Sequence, residues 1–440
     1  MTIEQLKRFR QKIYASFNKR KDAAMNLLDA ISSFGHRSRS IVQLSEARCF
    51  ERKYSSVTDA ISDGLPTADW NSISKHTYQL LFEKKSQQIP CFLIDCTGNP
   101  RAFAKKLADK TVTHSPNPAP GNKPICVGHQ YSCAALLPSD LSEQNEKWLI
   151  PLSMRRVNST QKGNEVGVQQ IIDHITDFEL TNEVVMSVGD SLYGSVNCRI
   201  KSSEAENLVY VFRVRNNRNL FFKPDQSDPG GKGRKKEFGD KMSLSDPDTH
   251  RNPNRTAETS FINSNEKSCR VKIEAWDDML MRGTTTYRGH EHPMTLIRIT
   301  VFNDKGEEIF KRPLWLAVLG KRRNEISLIT IYNKYTSRYD IEHFFRFSKS
   351  KLLLDSFQTP DVTNEENWWH LSLLAYNQLY LAKSVVGSTL KPWEKYLAKY
   401  KASNRSSSKY ATPSQTQRGF DCHLVASLPF RHKIAQQITK

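Results

Sequence analysis

The run Cys91-Phe-Leu-Ile-Asp95 decides how the rest of the chain is read: an apolar stretch ends on an acid, and Thr97, Gly98, Asn99 and Pro100 punctuate the residues just after it. Pro124-Ile-Cys-Val127 and Trp148-Leu-Ile-Pro-Leu152 have the same texture, short apolar runs bounded by Gly, Pro and Asn, and read as further strands. Between Val166 and Phe178 the period changes, with Val168, Ile171, Ile172 and Ile175 at helical spacing. Val184-Val-Met-Ser-Val188, ended by Gly189, is another strand; Ser191 to Ile200 reads as a helix and Leu208-Val-Tyr-Val-Phe212 as a strand. Strands feeding helix–strand units predict an α/β fold, a mixed sheet with helices on its faces.

Toward the N-terminus, Ile3, Leu6, Phe9, Ile13 and Phe17 form an apolar helical stripe, with Lys7, Arg8, Arg10 and Lys12 on the polar face. A second helix is expected over Ala23 to Ile31, and residues 1–85 read as a helical, basic module for binding nucleic acid. Toward the C-terminus, Lys223 to Lys236 is too rich in Pro, Gly and Asp for a helix or a central strand and is a loop. Val271 to Trp276, Leu296 to Phe302, Leu314 to Val318 and Ile326 to Ile331 are β-rich, which makes residues 223–325 a β insertion and places the core's final strand within 326–355. Ser337 onward is helical, Trp368 to Lys383 is an apolar helix, and residues 401–418 read as a polar linker to a basic tail. The domain reading is therefore 1–85, 86–222, 223–325, 326–355 and 356–440, with 86–222 and 326–355 forming one core.

Lys and Arg outnumber Asp and Glu by 65 to 46, a formal net charge of +19 spread along all 440 residues. Such a balance calls for a polyanionic partner. No apolar run is long enough to span a bilayer, and nothing resembles a signal peptide. The eight cysteines contain no Cys-x-x-Cys pair, which argues for free thiols rather than a zinc site.

Asp95 and Asp190 each follow an apolar run and precede a turn, where carboxylates from one sheet can converge. A lone aspartate at such a place is more simply a cap. The deciding element is Tyr335-x2-Arg338-x3-Glu342-x6-Lys349. On a continuous helix capped by Ser337, Glu342 falls roughly 40° and Lys349 roughly 20° around the axis from Arg338, so the three share a stripe beside Ile341, Phe345 and Leu352. An ordinary solvated face with an Arg–Glu pair is the competing reading. His290-Glu-His292 is an incidental pair in a turn.

This spacing resembles the Tyr-Arg-Glu-Lys signature of bacterial insertion-sequence transposases of the DDE class, the branch that forms hairpin ends. With residue types at roughly one position in twenty, it arises by chance in about three chains per thousand of this length. Leu93 to Gly98 resembles the family's first-aspartate strand and Val188 to Gly194 its second, while Gly233 to Gly239, the Trp368-Trp369 helix and Pro413 to Gly419 also look similar. Cys96 stands where a second acid often follows the first aspartate, and Ser191 where Arg or Ala is common. The resemblance implies a ribonuclease H-like mixed sheet with a β-rich insertion before Glu342. It also implies Asp95, Asp190 and Glu342 as catalytic ligands of two Mg²⁺ or Mn²⁺ ions, because hard cations favour carboxylates and an ion pair suits in-line phosphoryl displacement. Arg338 and Lys349 become phosphate clamps, Tyr335 a nucleotide contact, and Trp315, ahead of Trp276, a platform for a flipped base. Lys232, Arg234, Lys235 and Lys236 are expected to track a DNA backbone. The substrate implied is double-stranded DNA, terminal inverted repeats and target, acted on by a homodimer at the bacterial nucleoid in the cytoplasm. Competing readings are a catalytically silent, transposase-derived DNA-binding protein and a ribonuclease H-like nuclease.

Overall fold

The computed structural model describes residues 2–82, 88–104, 106–114, 124–138, 148–224, 236–263, 265–285, 287–386 and 411–427, with side chains of the last helix described to 420. The chain begins with helices α1 (Ile3–Ser16), α2 (Lys21–Phe34), α3 (Ser55–Asp59) and α4 (Trp70–Leu81). Next are strands β1 (Cys91–Pro100), β2 (Thr111–His114), β3 (Ile125–Leu136) and β4 (Ile150–Val157). Then come α5 (Gly163–Asp177), β5 (Val185–Gly189), α6 (Val196–Ser202) and β6 (Leu208–Val214). The β-rich region holds β7 (Asn219–Phe221), β8 (Lys241–Ser243), β9 (Arg255–Ile262), β10 (Ser268–Met279), β11 (Met294–Phe302) and β12 (Leu314–Leu319). Helices α7 (Leu328–Thr336), α8 (Asp340–Lys351), α9 (Val362–Ala382) and α10 (Pro413–Ser427) close the chain. Two compact units result, one of Met1–Gln88, Cys96–Gly163 and Tyr339–Lys440, the other of Ile89–Asp95 and Asn164–Arg338, so a unit boundary falls inside β1 between Asp95 and Cys96.

In the second unit the first residues of β1 run parallel to β5, and β5 runs parallel to β6. From β6 the sheet continues antiparallel through β12, β11 and β10 to β9. This is the mixed sheet expected from the sequence. The β-rich residues do not form a layer of their own: β12, apolar along its length and buried from Trp315 onward, lies between β6 and β11. A strand buried on both faces is stable only between two partners. β9 closes the edge with every second residue exposed, as a strand with one wet face must.

Ile326 to Ile331 is not a strand. Its β-branched residues suit one, but Ser327 caps a helix by accepting from the Thr330 amide at 3.1 Å. Leu328, Ile331, Tyr332 and Tyr335 then recur at helical spacing and are buried, and α7 packs on β9 and β10. The last strand in chain order is therefore β12, inside the stretch read as an insertion. The single helix expected from Ser337 is also interrupted. Residues Ser337–Tyr339 form a 3-10 turn, and the Ser337 hydroxyl donates back to the Asn333 carbonyl at 3.1 Å rather than capping α8.

In the first unit, β3 pairs antiparallel with β2 at one end and with β4 at the other. α9 is buried nearly all round, the behaviour of a central helix. Its Glu365 carboxylate accepts from the Tyr131 hydroxyl at 2.8 Å, the Asn99 amide at 2.9 Å and the Arg101 guanidinium, and meets His129 Nδ1 at 2.9 Å. Tyr131 also stacks on Trp369 with ring centres 4.1 Å apart. The apolar stripe of α1 is buried at Leu6, Phe9 and Ile13, but Arg10 is not on the solvated face. It is buried, pairs with Asp29 on α2 and donates to Gln378 on α9 at 2.6 Å. Likewise, the polar linker expected over 401–418 is helical from Pro413. Thr412 and Gln415 form a capping box around Pro413, and Gln417 donates to the Ile31 and Lys351 carbonyls at 3.3 and 3.0 Å, near the ends of α2 and α8. Residues 401–410 lie outside the described ones.

His370 on α9 stacks on Trp70 with ring centres 4.8 Å apart. Burial, with the Arg155 charge adding to it, holds its pKa down at about 4 against an ordinary 6.5. A lowered pKa means the unfolded chain takes the proton first, so stability present above 6.5 is lost as pH falls from 6.5 toward 4. We expect an acid-side loss on the order of 2 kcal/mol, part of it screened where solvent reaches the ring. Thermal melts of wild type and His370→Gln at pH 7 and pH 4.5 check this; an equal acid-side loss in both would refute it.

Candidate active site

The second unit carries two of the predicted acids. In the parallel pairing of β1 with β5, Leu93 stands level with Val188. Asp95 and Asp190 each lie two residues beyond that pair in sequence. Neighbouring strands are about 4.8 Å apart, and residues in register share a face of the sheet. Asp95 is not at a strand end, because β1 continues to Pro100. Asp190 does lie just past the end of β5: it caps the Ser191–Gly194 turn, its Oδ1 accepting from the Leu192 amide at 2.7 Å. Gly189 precedes it because a Cβ there would meet the Tyr193 ring at 2.6 Å. Tyr193 is buried against the strand end, and its carbonyl accepts from the Tyr210 hydroxyl at 2.8 Å. That Gly–Tyr packing, which fixes the Asp190 turn, was visible in the sequence only as an unexplained glycine.

Arg338 brings a cation to the same place, one guanidinium nitrogen lying 3.9 Å from Asp95 Oδ2. It sits in the 3-10 turn after α7 and is mostly buried. A buried arginine beside a carboxylate suits a group that must meet both acid and phosphate.

In the first unit, Glu342 is exposed in the first turn of α8, whose opposite side buries Ile341, Phe344, Phe345 and Ser348. Lys349 stands seven residues on, hence on nearly the same side of this one helix. Its ammonium donates to the Gly98 carbonyl at 2.6 Å and lies 3.9 Å from Asp355 Oδ2. Burial lowers the Lys349 pKa, opposed by the Asp355 charge, and burial raises that of Asp355. The common stripe expected for Arg338, Glu342 and Lys349 thus holds within a single helix only for the last two.

The aromatic residues expected from the sequence to contact DNA are buried. Tyr335 is 3% exposed on the packed side of α7. Trp315 is fully buried, its ring 5.8 Å from that of Trp276 and 5.5 Å from that of His250, and Trp276 is buried with it. Nearly full burial in one aromatic cluster leaves no face for a base. Lys232, Arg234 and Lys235 lie outside the described residues, whereas Lys236 is described and exposed.

Residues 12–283 match the family described as DDE superfamily endonuclease. The chain belongs to this family. No curated protein matches it. As a DDE superfamily endonuclease it has a transposase-type domain that acts on DNA, and such endonucleases use divalent metal ions. The match includes both strands that carry Asp95 and Asp190 and ends before Arg338 and Glu342. Among the described residues, no group of three His, Cys, Asp or Glu side chains is gathered to hold a metal ion, and no helix is long and apolar enough to cross a membrane. The donor chemistry nevertheless fits: the Asp95 and Asp190 carboxylates are oxygen donors, the preference of hard divalent cations.

Proposed function

We propose that the protein is a cut-and-paste DNA transposase in which Asp95, Asp190 and Glu342 hold two Mg²⁺ or Mn²⁺ ions. The observation that supports this reading is the β1–β5 register, in which Leu93 stands level with Val188, two residues before each aspartate, together with the Arg338 guanidinium 3.9 Å from Asp95 Oδ2. Glu342 comes four residues after Arg338, a stretch of chain that reaches at most about 14 Å. Asp95, Asp190 and Glu342 would hold the metal pair, which when bound would activate the attacking oxygen and stabilise the leaving one. Asp190 aims its carboxylate from a capped turn, and Arg338 steadies Asp95 until phosphate arrives and then clamps that phosphate. Lys349 supplies a second cation on the Glu342 side of α8. Exposed Lys236 and its basic neighbours in sequence, together with the basic faces of the N-terminal helices, hold the DNA backbone.

In this reading water first cuts at the element's end, and the freed 3′-hydroxyl then attacks the opposite strand to give a hairpin. The hairpin is reopened and the end is joined to target DNA. Two ends must be cut together, which calls for a homodimer acting on terminal inverted repeats. A supercoiled plasmid bearing such repeats tests it. With Mg²⁺, excised fragments with hairpin ends are expected, and none with EDTA. Simple nicks would identify a nuclease of the same fold, and shifted but uncut DNA a silent DNA-binding protein.

A further inference from the structure

Beside the Asp190 turn the second unit has a groove of ≈ 710 Å³, with Ser191 and Leu192 of that turn in its lining. Arg199, Arg213, Arg215, Arg218, Lys241 and Arg282 line it, and its lining contains no Asp or Glu. All of these cations but Arg199 are exposed. Arg199, on α6, is 3% exposed. Its guanidinium lies 5.0 Å from the centre of the Tyr287 ring, and one terminal nitrogen is 3.5 Å from the Arg282 carbonyl, too long for a strong bond. Among the described residues its Nε and Nη1 have no hydrogen-bond partner, nor has the buried Tyr287 hydroxyl. Tyr287 in turn stacks on His292 with ring centres 4.5 Å apart, so the platform under the guanidinium is itself packed. Burial, opposed by Tyr287 and reinforced by the Arg218 charge, lowers the Arg199 pKa.

A buried guanidinium without a carboxylate is costly, and folds normally pair one or leave it out. A buried cation held in this way, without a carboxylate and in the lining of a groove of exposed arginines, is suited to an anion supplied from outside. We propose that this groove seats a backbone phosphate of bound DNA on the flank of the Asp190 turn, with Arg199 as buried anchor and Arg215, Arg218 and Arg282 as outer clamps. The absence of acids from the lining fits recognition of phosphate charge rather than base edges. This inference rests on the DNA-cleaving reading for the identity of the ligand, but the anion site stands on its own geometry.

The test uses the full chain without divalent metal. Anisotropy with a labelled DNA duplex is measured over a salt series, and melting temperature is measured with and without inorganic phosphate. Arg199→Met is expected to weaken DNA binding about tenfold or more and to lower the salt slope by about one, as is Arg218→Ala. Phosphate should raise the melting temperature of wild type but not of Arg199→Met, and should compete with the duplex. Without phosphate the Met variant should melt at or above wild type, because an unpaired buried charge has been removed; a merely structural arginine would give a lower melting point. Unchanged DNA affinity and slope in both variants, or an equal phosphate effect in wild type and Arg199→Met, overturns the site. If Arg199→Met does not fold, Arg218→Ala decides. Should wild type bind no duplex, the DNA reading falls, and loss of the phosphate effect in the variants alone decides whether the anion site stands.

Discussion

An Asp190→Asn protein is expected to fold and bind DNA as wild type does, and to cut it at least about 10³-fold more slowly. The size of the loss comes from removing one negative donor from a site that must concentrate positive charge on a phosphate. The folding half of the statement comes from the structure. Asp190 caps its turn through an oxygen that accepts the Leu192 amide, and asparagine offers the same oxygen and is as good a cap. Charge is therefore removed while the local geometry stays. Asp190→Ala would lose the cap as well, about 1 kcal/mol, and blur the result. Plasmid cleavage, anisotropy and a thermal melt on the same preparation decide it. Cleavage within tenfold of wild type, with the melt unchanged, would remove Asp190 from the catalytic set.

Glu365→Ala carries the largest expected loss of stability. The carboxylate is buried in the first unit and meets Asn99, Arg101, His129 and Tyr131. Burial alone would raise its pKa, but hydrogen bonds from His129 and Arg101 outweigh that and hold it below the ordinary value. Removing the shared acceptor leaves the Arg101 guanidinium uncompensated in the interior, which costs about 3–5 kcal/mol. For a chain of this size that lowers the melting temperature by about 3–5 °C. Glu365→Gln, with one acceptor kept and an amide donor turned on Arg101, should fall between. Calorimetry of the three proteins checks the order; a melting point for Glu365→Ala within about 2 °C of wild type would show that the cluster contributes little.

Much of the fold was legible because its central strands carry short runs rich in apolar residues. β1, β5, β6, β11 and β12 could be read this way, as could the apolar helix α9. What escaped depended on partners outside the run itself, near or far in sequence. β9 is built from Arg255 to Ile262, a polar alternation that becomes a strand only beside β10. α7 carries β-branched residues whose helical period outweighs their strand preference once Ser327 caps it. Arg10 sits on what reads as a solvated face, and only Asp29 and Gln378, the latter 368 residues away in sequence, account for its burial.

The candidate site was legible to a different depth. Asp95 and Asp190 come directly after apolar runs, so their positions could be guessed, but the register that pairs Leu93 with Val188 ahead of them is a property of two strands and of neither alone. The break at Ser337–Tyr339 was hidden because a serine near the start of an apolar period reads as a cap, whereas its hydroxyl bonds backward. Trp315 illustrates the limit from the other side: the chemistry a residue type permits is decided by whether a face of it is exposed.

The pairing of β12 with β6 has a consequence for how such a chain can change. Because the β-rich region threads its last strand onto the core, it cannot be trimmed or exchanged as an appendage. Deleting residues 223–319 would strip β6 of a neighbour and leave a row of unmet amides and carbonyls along a strand whose side chains are nearly all buried. A shortened descendant would have to cover that edge in the same step or clump with its own copies. Loops around the rim are free to drift in length, whereas this region is inherited whole or not at all.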